Sequence, residues 1–228
     1  MRLLWTLLIV TFTLFANETK ILKTDGKSAV IPPQNLPIGT SGIVIHSFNP
    51  NLRSIVARAI LVAPDRIKFE VFDALAQDSL PRPNIKPQPG DRVILGYLDD
   101  RAVIIAPNFS TYQKLSEEFG GYELLHPDLF AAELSKAKHP APTREDFKNF
   151  CNKFALSTIF LALDDRTLQL DCYSFTPLQS YDIKADRQNL KLPFYSRIKE
   201  IESSIFDFFG DNEIKDYFDY YKKLVESK

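Results

Sequence analysis

Two cysteines, three histidines and two adjacent aspartate pairs are the side chains here whose types suit covalent, metal-binding or acid–base chemistry. Cys151 and Cys172 are the only cysteines. Neither has a second Cys or a His at ligand spacing, so a metal site is not indicated, and the pair reads either as a disulfide or as two separate buried thiols. A bond between them would restrict the unfolded chain and contribute about 3 kcal/mol. His46, His126 and His139 lie far from one another in sequence and outside any zinc-binding helix pattern, and they read as surface or loop residues. Asp99 with Asp100, and Asp164 with Asp165, each precede an arginine between strand-like runs, where Asp suits turn geometry. As paired carboxylates they are also candidates for acid and base work, or for holding a cation, if the fold brings two pairs together. Gly39, Thr40, Ser41 and Gly42 have the wrong spacing for a nucleophile elbow, and eight glycines offer no phosphate-cradling loop. The expectation is a protein without cofactor or catalytic site, one that binds rather than turns over a substrate.

The elements that must position these residues follow from hydropathic period. Residues 41–48 and 54–62 are apolar runs parted by Asn49, Pro50 and Asn51, and they predict a hairpin. In 66–71, Ile67, Phe69 and Val71 alternate with Arg66, Lys68 and Glu70, as in a half-buried strand. Pro81, Pro83, Pro87 and Pro89 make a stiff connection, either a rigid loop or a docking ligand for an aromatic groove. Residues 92–98 and 101–106 predict a second hairpin turning at Asp99 and Asp100. Five strands without helical period point to a small barrel or curled antiparallel sheet over residues 35–107, preceded by a polar, mobile segment at 17–34.

From Pro107 the period changes. Tyr112, Leu115 and Phe119 recur at helical spacing and stop at Gly120 and Gly121. Residues 122–125 form a short strand, and Pro127 opens a helix carrying Leu129, Phe130 and Leu134. Thr143, with Asp146 three residues on, begins a third helix through a variant capping box. That helix aligns Phe147, Phe150, Cys151 and Phe154 in one stripe, so Cys151 faces inward. Strands are expected at 158–163 and 167–173, the second with Leu168, Leu170 and Cys172 opposite Thr167, Gln169 and Asp171. A helix stripe and a strand face that both aim a thiol at the core make the disulfide geometrically reasonable. A further strand is expected at 181–185, then helices at 196–209 and 213–226. The last aligns Ile214, Tyr217, Phe218, Tyr221 and Leu224, which are either core or, with Phe208 and Tyr220, a docking surface. The sum is an α+β protein, with a β domain at 35–107 and an α/β domain at 108–228.

With 45% apolar and 25% charged residues in 228, the chain is an ordinary globular one, which excludes wholly disordered, collagen-like and multi-span membrane proteins. Its 28 basic and 29 acidic side chains lack the electrostatic footprint of a phosphate binder, so nucleic acid is not an expected partner. Arg2, an uncharged apolar run from Leu3 to Phe15, and Ala16 have the layout of a secretory signal peptide over residues 1–16. The run is too short to span a bilayer comfortably; an uncleaved anchor is the alternative, and the one way a membrane would enter. The expected product is exported to the periplasm or cell surface, where disulfides persist.

Phe69-Glu-Val-Phe-Asp73, Leu80-Pro-Arg-Pro83, Pro89-Gly-Asp-Arg-Val93 and Ile104-Ile-Ala-Pro107 resemble the amino-terminal domain of the Helicobacter plasminogen-binding proteins. The resemblance continues through Cys151-Asn152, Leu170-Asp-Cys-Tyr-Ser174, Pro193-Phe-Tyr-Ser-Arg197 and Tyr217-Phe-Asp-Tyr-Tyr221, and covers nearly the whole chain after residue 16. It implies an exported protein of an epsilonproteobacterium such as Campylobacter or Helicobacter, with plasminogen as partner. The best-known members carry a long Lys- and Glu-rich tail after this domain, whereas this sequence stops at Lys228. Because kringle modules capture lysine side chains, preferentially at a carboxy terminus, the resemblance points to Lys228 as the contact. Lys222 and Lys223 are further candidates or a solvated face, and Tyr217, Phe218 and Tyr221 are their aromatic neighbours. The order of elements from Tyr122 to the helix at Ser196 is also similar to the α/β domain at the amino terminus of the TolB protein. That likeness implies an alternative partner set, the components of a periplasmic envelope machine such as the flagellar motor disks.

Overall fold

The computed structural model describes residues 17–73, 85–198 and 214–227. Their strands form two sheets. The first is seven-stranded and antiparallel, in the order β1 (Asn17–Lys20), β7 (Arg92–Leu95), β4 (Ser41–Asn49), β5 (Leu52–Ala63), β6 (Arg66–Glu70), β3 (Ser28–Val30), β2 (Lys23–Thr24). Its long members are β4 (Ser41–Asn49) and β5 (Leu52–Ala63), the expected hairpin, followed by β6 (Arg66–Glu70) and β7 (Arg92–Leu95). Ile21, Ala29, Ile31, Val44, Ala59, Leu61, Ile67, Val93 and Leu95 fill its concave side.

The segment 17–34, expected to be mobile, instead supplies β1 (Asn17–Lys20), β2 (Lys23–Thr24) and β3 (Ser28–Val30). Thr19, Ile21, Ala29 and Ile31 turn inward and are buried, while the lysines and serines between them mask the alternation. β1 pairs with β7 and β2 with β3, and the Leu22 N–H between them donates to Val30 O at 2.8 Å. One bent stretch thus pairs with both ends of the sheet and curls it into a cup, which leaves little exposed edge.

The second sheet has the order β12 (Pro177–Tyr181), β11 (Thr167–Asp171), β10 (Thr158–Ala162), β8 (Arg101–Ile105), β9 (Glu123–Leu125). Here the second expected hairpin fails. β7 stays in the cup, but β8 (Arg101–Ile105) pairs in parallel with β10 (Thr158–Ala162) and with β9 (Glu123–Leu125). Gly96 and Leu98, at φ 69° and 62°, turn the chain out of the first sheet. The run from Ala102 to Ile105 has no polar residue to show to water, so both of its faces need cover, which a central parallel strand obtains. The chain therefore passes from the first sheet to the second between Leu95 and Arg101.

Helices supply that cover. Asn108 Oδ1 accepts from the Thr111 N–H and opens α1 (Phe109–Glu118); α2 (Asp128–Ala137) and α3 (Arg144–Phe154) follow. The capping box of Thr143 and Asp146 starts α3 as expected. Phe119, just after α1, stacks on Phe160 of β10 with ring centres 3.8 Å apart. The neighbouring Ile159 and Leu161 point to the opposite face, where Phe130, Phe147 and Phe150 pack among themselves. β11 (Thr167–Asp171) pairs antiparallel with β10, as expected; the third strand of that ladder, β12 (Pro177–Tyr181), lies earlier than 181–185 because the chain turns back directly after Phe175. Ser196, Arg197 and Ile198 are not helical, and the rest of the helix expected there lies outside the described residues. The chain returns in α4 (Tyr217–Glu226). The α+β class, with a curled antiparallel sheet, a second mixed sheet and a terminal helix, is as expected.

Candidate functional site

α4 carries most of the expected binding residues and is held at both ends. Asp216 Oδ1 accepts from the Asp219 N–H at 2.8 Å, and Arg144 of α3 donates to the carbonyls of Leu224 and Val225, both at 2.9 Å. Tyr217, Phe218 and Tyr221 are 0%, 2% and 0% exposed. Tyr217 donates its hydroxyl to Ile105 O at 3.0 Å, at the end of β8. These three rings are core, not a docking face. Tyr220 at their margin donates to Pro142 O, and burial, helped by the charge of Asp146, pushes it up to about 12. Lys222 sits 2.6 Å from Asp164, whose carboxylate raises the pKa of the ammonium, while Lys223 is exposed. Lys228 lies outside the described residues.

The two acidic pairs lie at opposite ends of β10. Asp99 O accepts from Thr158 Oγ1 at its first residue, and Asp164 and Asp165 follow its last. Each pair has local work. Burial, then the charge of Asp100, raises Asp99, whereas the Arg166 guanidinium holds Asp165 low. The histidines are not isolated in space: His46 of β4 lies 2.7 Å from Asp91, and His139 3.0 Å from Asp146. His126 Nδ1 lies 3.2 Å from both the backbone nitrogen and Oδ1 of Asp128, and burial lowers its pKa against the opposing pull of that carboxylate.

Sequence reasoning missed the seam between the sheets. Strand alternation sets Asp171 on the face opposite Cys172, and that face too is covered, with Asp171 3% exposed. Its Oδ2 accepts from the Ser41 N–H of the cup at 2.8 Å, and its Oδ1 from the N–H groups of Tyr173 and Ser174 at 2.9 and 2.8 Å. Burial raises its pKa in spite of these bonds. Ser174 Oγ donates to Gly39 O at 2.7 Å. Asp99 and Asp171 both border a cavity of about 190 Å³ with Ser41, Thr158 and Gln169. The only local signal is the short Asp-x-x-Ser turn, in which an Asp side chain accepts from the backbone just ahead. Nearby, Cys151 of α3 and Cys172 beyond β11 form the disulfide, with Cα atoms 6.1 Å apart.

Over residues 16–225 the sequence matches the family described as the plasminogen-binding protein pgbA N-terminal region. The chain belongs to that family. Two curated proteins named plasminogen-binding protein PgbA, from Helicobacter pylori strains J99 and 26695, are each 23% identical to it over 203 residues. The alignments cover 86% of this chain but 44% of those proteins, so the chain spans less than half the length of the curated relatives it matches. No solved structure matches it. The PgbA amino-terminal match runs from β1 into α4, so the cup, the second sheet and their seam are one family unit.

Proposed function

We propose that this chain is an exported, non-enzymatic protein-binding domain, and that plasminogen is its partner. Family membership across both sheets carries it, with relatives named plasminogen-binding protein. Export is supported by the apolar run after Arg2 and by the disulfide, which suits an oxidising compartment. A binding rather than catalytic role agrees with the separation of the two acidic pairs. Kringle modules take a lysine ammonium against carboxylates and aromatic walls, so the contact should be a lysine with a free head group. The exposed Lys223 meets that condition, Lys222 less so because Asp164 already engages it, and Lys228, outside the described residues, is a candidate by residue type alone.

Residues 17–228, passed over immobilised plasminogen, should bind, and a soluble lysine analogue should abolish the signal. Deleting Lys228 together with Lys223→Ala should weaken it. Binding that ignores the analogue would overturn the lysine contact. Absence of binding, with a defined envelope complex recovered by crosslinking in cells, would replace plasminogen with a periplasmic assembly partner.

A further inference from the structure

Arg58 of β5 is 2% exposed, and no carboxylate lies within ion-pair distance of it among the described residues. A buried guanidinium is costly unless something replaces its water. Here its carbon sits 3.1 Å over the ring of Tyr173, with Phe72 at 5.3 Å, and its Nη2 donates to Asn152 Oδ1 at 2.9 Å. Asn152 Nδ2 donates in turn to Asp73 Oδ1 at 2.8 Å. Arg58, Phe72 and Asp73 belong to the cup and its outgoing chain; Asn152 and Tyr173 belong to the second sheet and its helix. Those last two are the immediate neighbours of Cys151 and Cys172, and the Tyr173 hydroxyl donates back to Cys151 O at 3.5 Å. The covalent bond fixes the spacing of the two groups that grip the guanidinium.

We infer that the Cys151–Cys172 disulfide is a redox-set lock between the two halves, acting through the grip of Asn152 and Tyr173 on Arg58. Oxidised, it holds the clamp closed. Reduction by a dithiol transfers two electrons and two protons, breaks the S–S bond and leaves two thiols, with the dithiol itself becoming a disulfide; the clamp then loosens and the seam opens more often. With both cysteines at 1% exposure or less, a reductant reaches the sulfurs only when the surrounding structure opens, so the lock releases slowly.

The test is a double-mutant cycle on the full chain, comparing Arg58→Ala in the oxidised protein and in Cys151→Ala/Cys172→Ala. The readout is hydrogen exchange at the Ser41 amide, which donates across the seam to Asp171. Arg58→Ala should speed that exchange about tenfold or more in the oxidised chain and less than about twofold without the cysteines. Equal effects in both backgrounds would overturn the lock, as would faster exchange confined to α3 and β11. If the cysteine-free chain does not fold, wild type and Arg58→Lys are compared before and after dithiothreitol, and seam exchange unchanged by reduction is the overturning result.

Discussion

Asp146 shows how one side chain sets a pH response. It accepts from the Thr143 N–H at 2.8 Å and from the Thr143 hydroxyl at 2.7 Å, and faces His139. Burial pushes its pKa up, but the bonds from Thr143 and His139 outweigh that and hold it below the usual carboxylate range. A depressed folded pKa means stability present above the unfolded value of about 3.9 and lost as pH falls through the folded one. Asp146→Ala should therefore cost about 1 kcal/mol at neutral pH by urea denaturation, and the difference from wild type should shrink towards about pH 2. This feature was legible in the sequence because Thr143 and Asp146 are three residues apart and their geometry is local. Asp171 was not legible: its acceptor role depends on Ser41, 130 residues away, and strand alternation alone says only that it faces away from Cys172.

At the scale of elements, α4 depends on Arg144, which caps carbonyls at its carboxy-terminal end from the first turn of α3. Arg144→Met should cost about 1–2 kcal/mol and speed amide exchange in α4 while the capping box of α3 keeps its protection. Unchanged exchange in α4 would remove the cap from the account. The aromatic spacing of α4 was readable, and so was its ambiguity, since Tyr217, Phe218 and Tyr221 serve a core or a docking face equally well until a sheet is placed against them. A strand such as β8, with no polar residue between Arg101 and Pro107, suits the middle of a covered sheet, not the return arm of a hairpin over a curled one. Its partner β10, more than fifty residues on, is fixed by tertiary pairing that local pattern does not encode.

For the whole molecule, the seam decides whether two sheets behave as one body. Gly39 has φ +100°, and a Cβ there would lie 2.5 Å from the Thr176 Cβ. Gly39→Ala should lower stability by at least about 2 kcal/mol, combining backbone strain with steric overlap. Adding Thr176→Gly should recover only the overlap part, and full recovery would show that the backbone conformation costs nothing. The bent strand over residues 17–24 bears on another property, the order of events during synthesis. It is made well before its partner β7, which ends at Leu95, so the nascent chain carries an unmatched rim until some seventy further residues have emerged. Folding of the cup is therefore a late, non-local closure, and a chaperone that shields its opening residues during that interval would raise the yield of native protein.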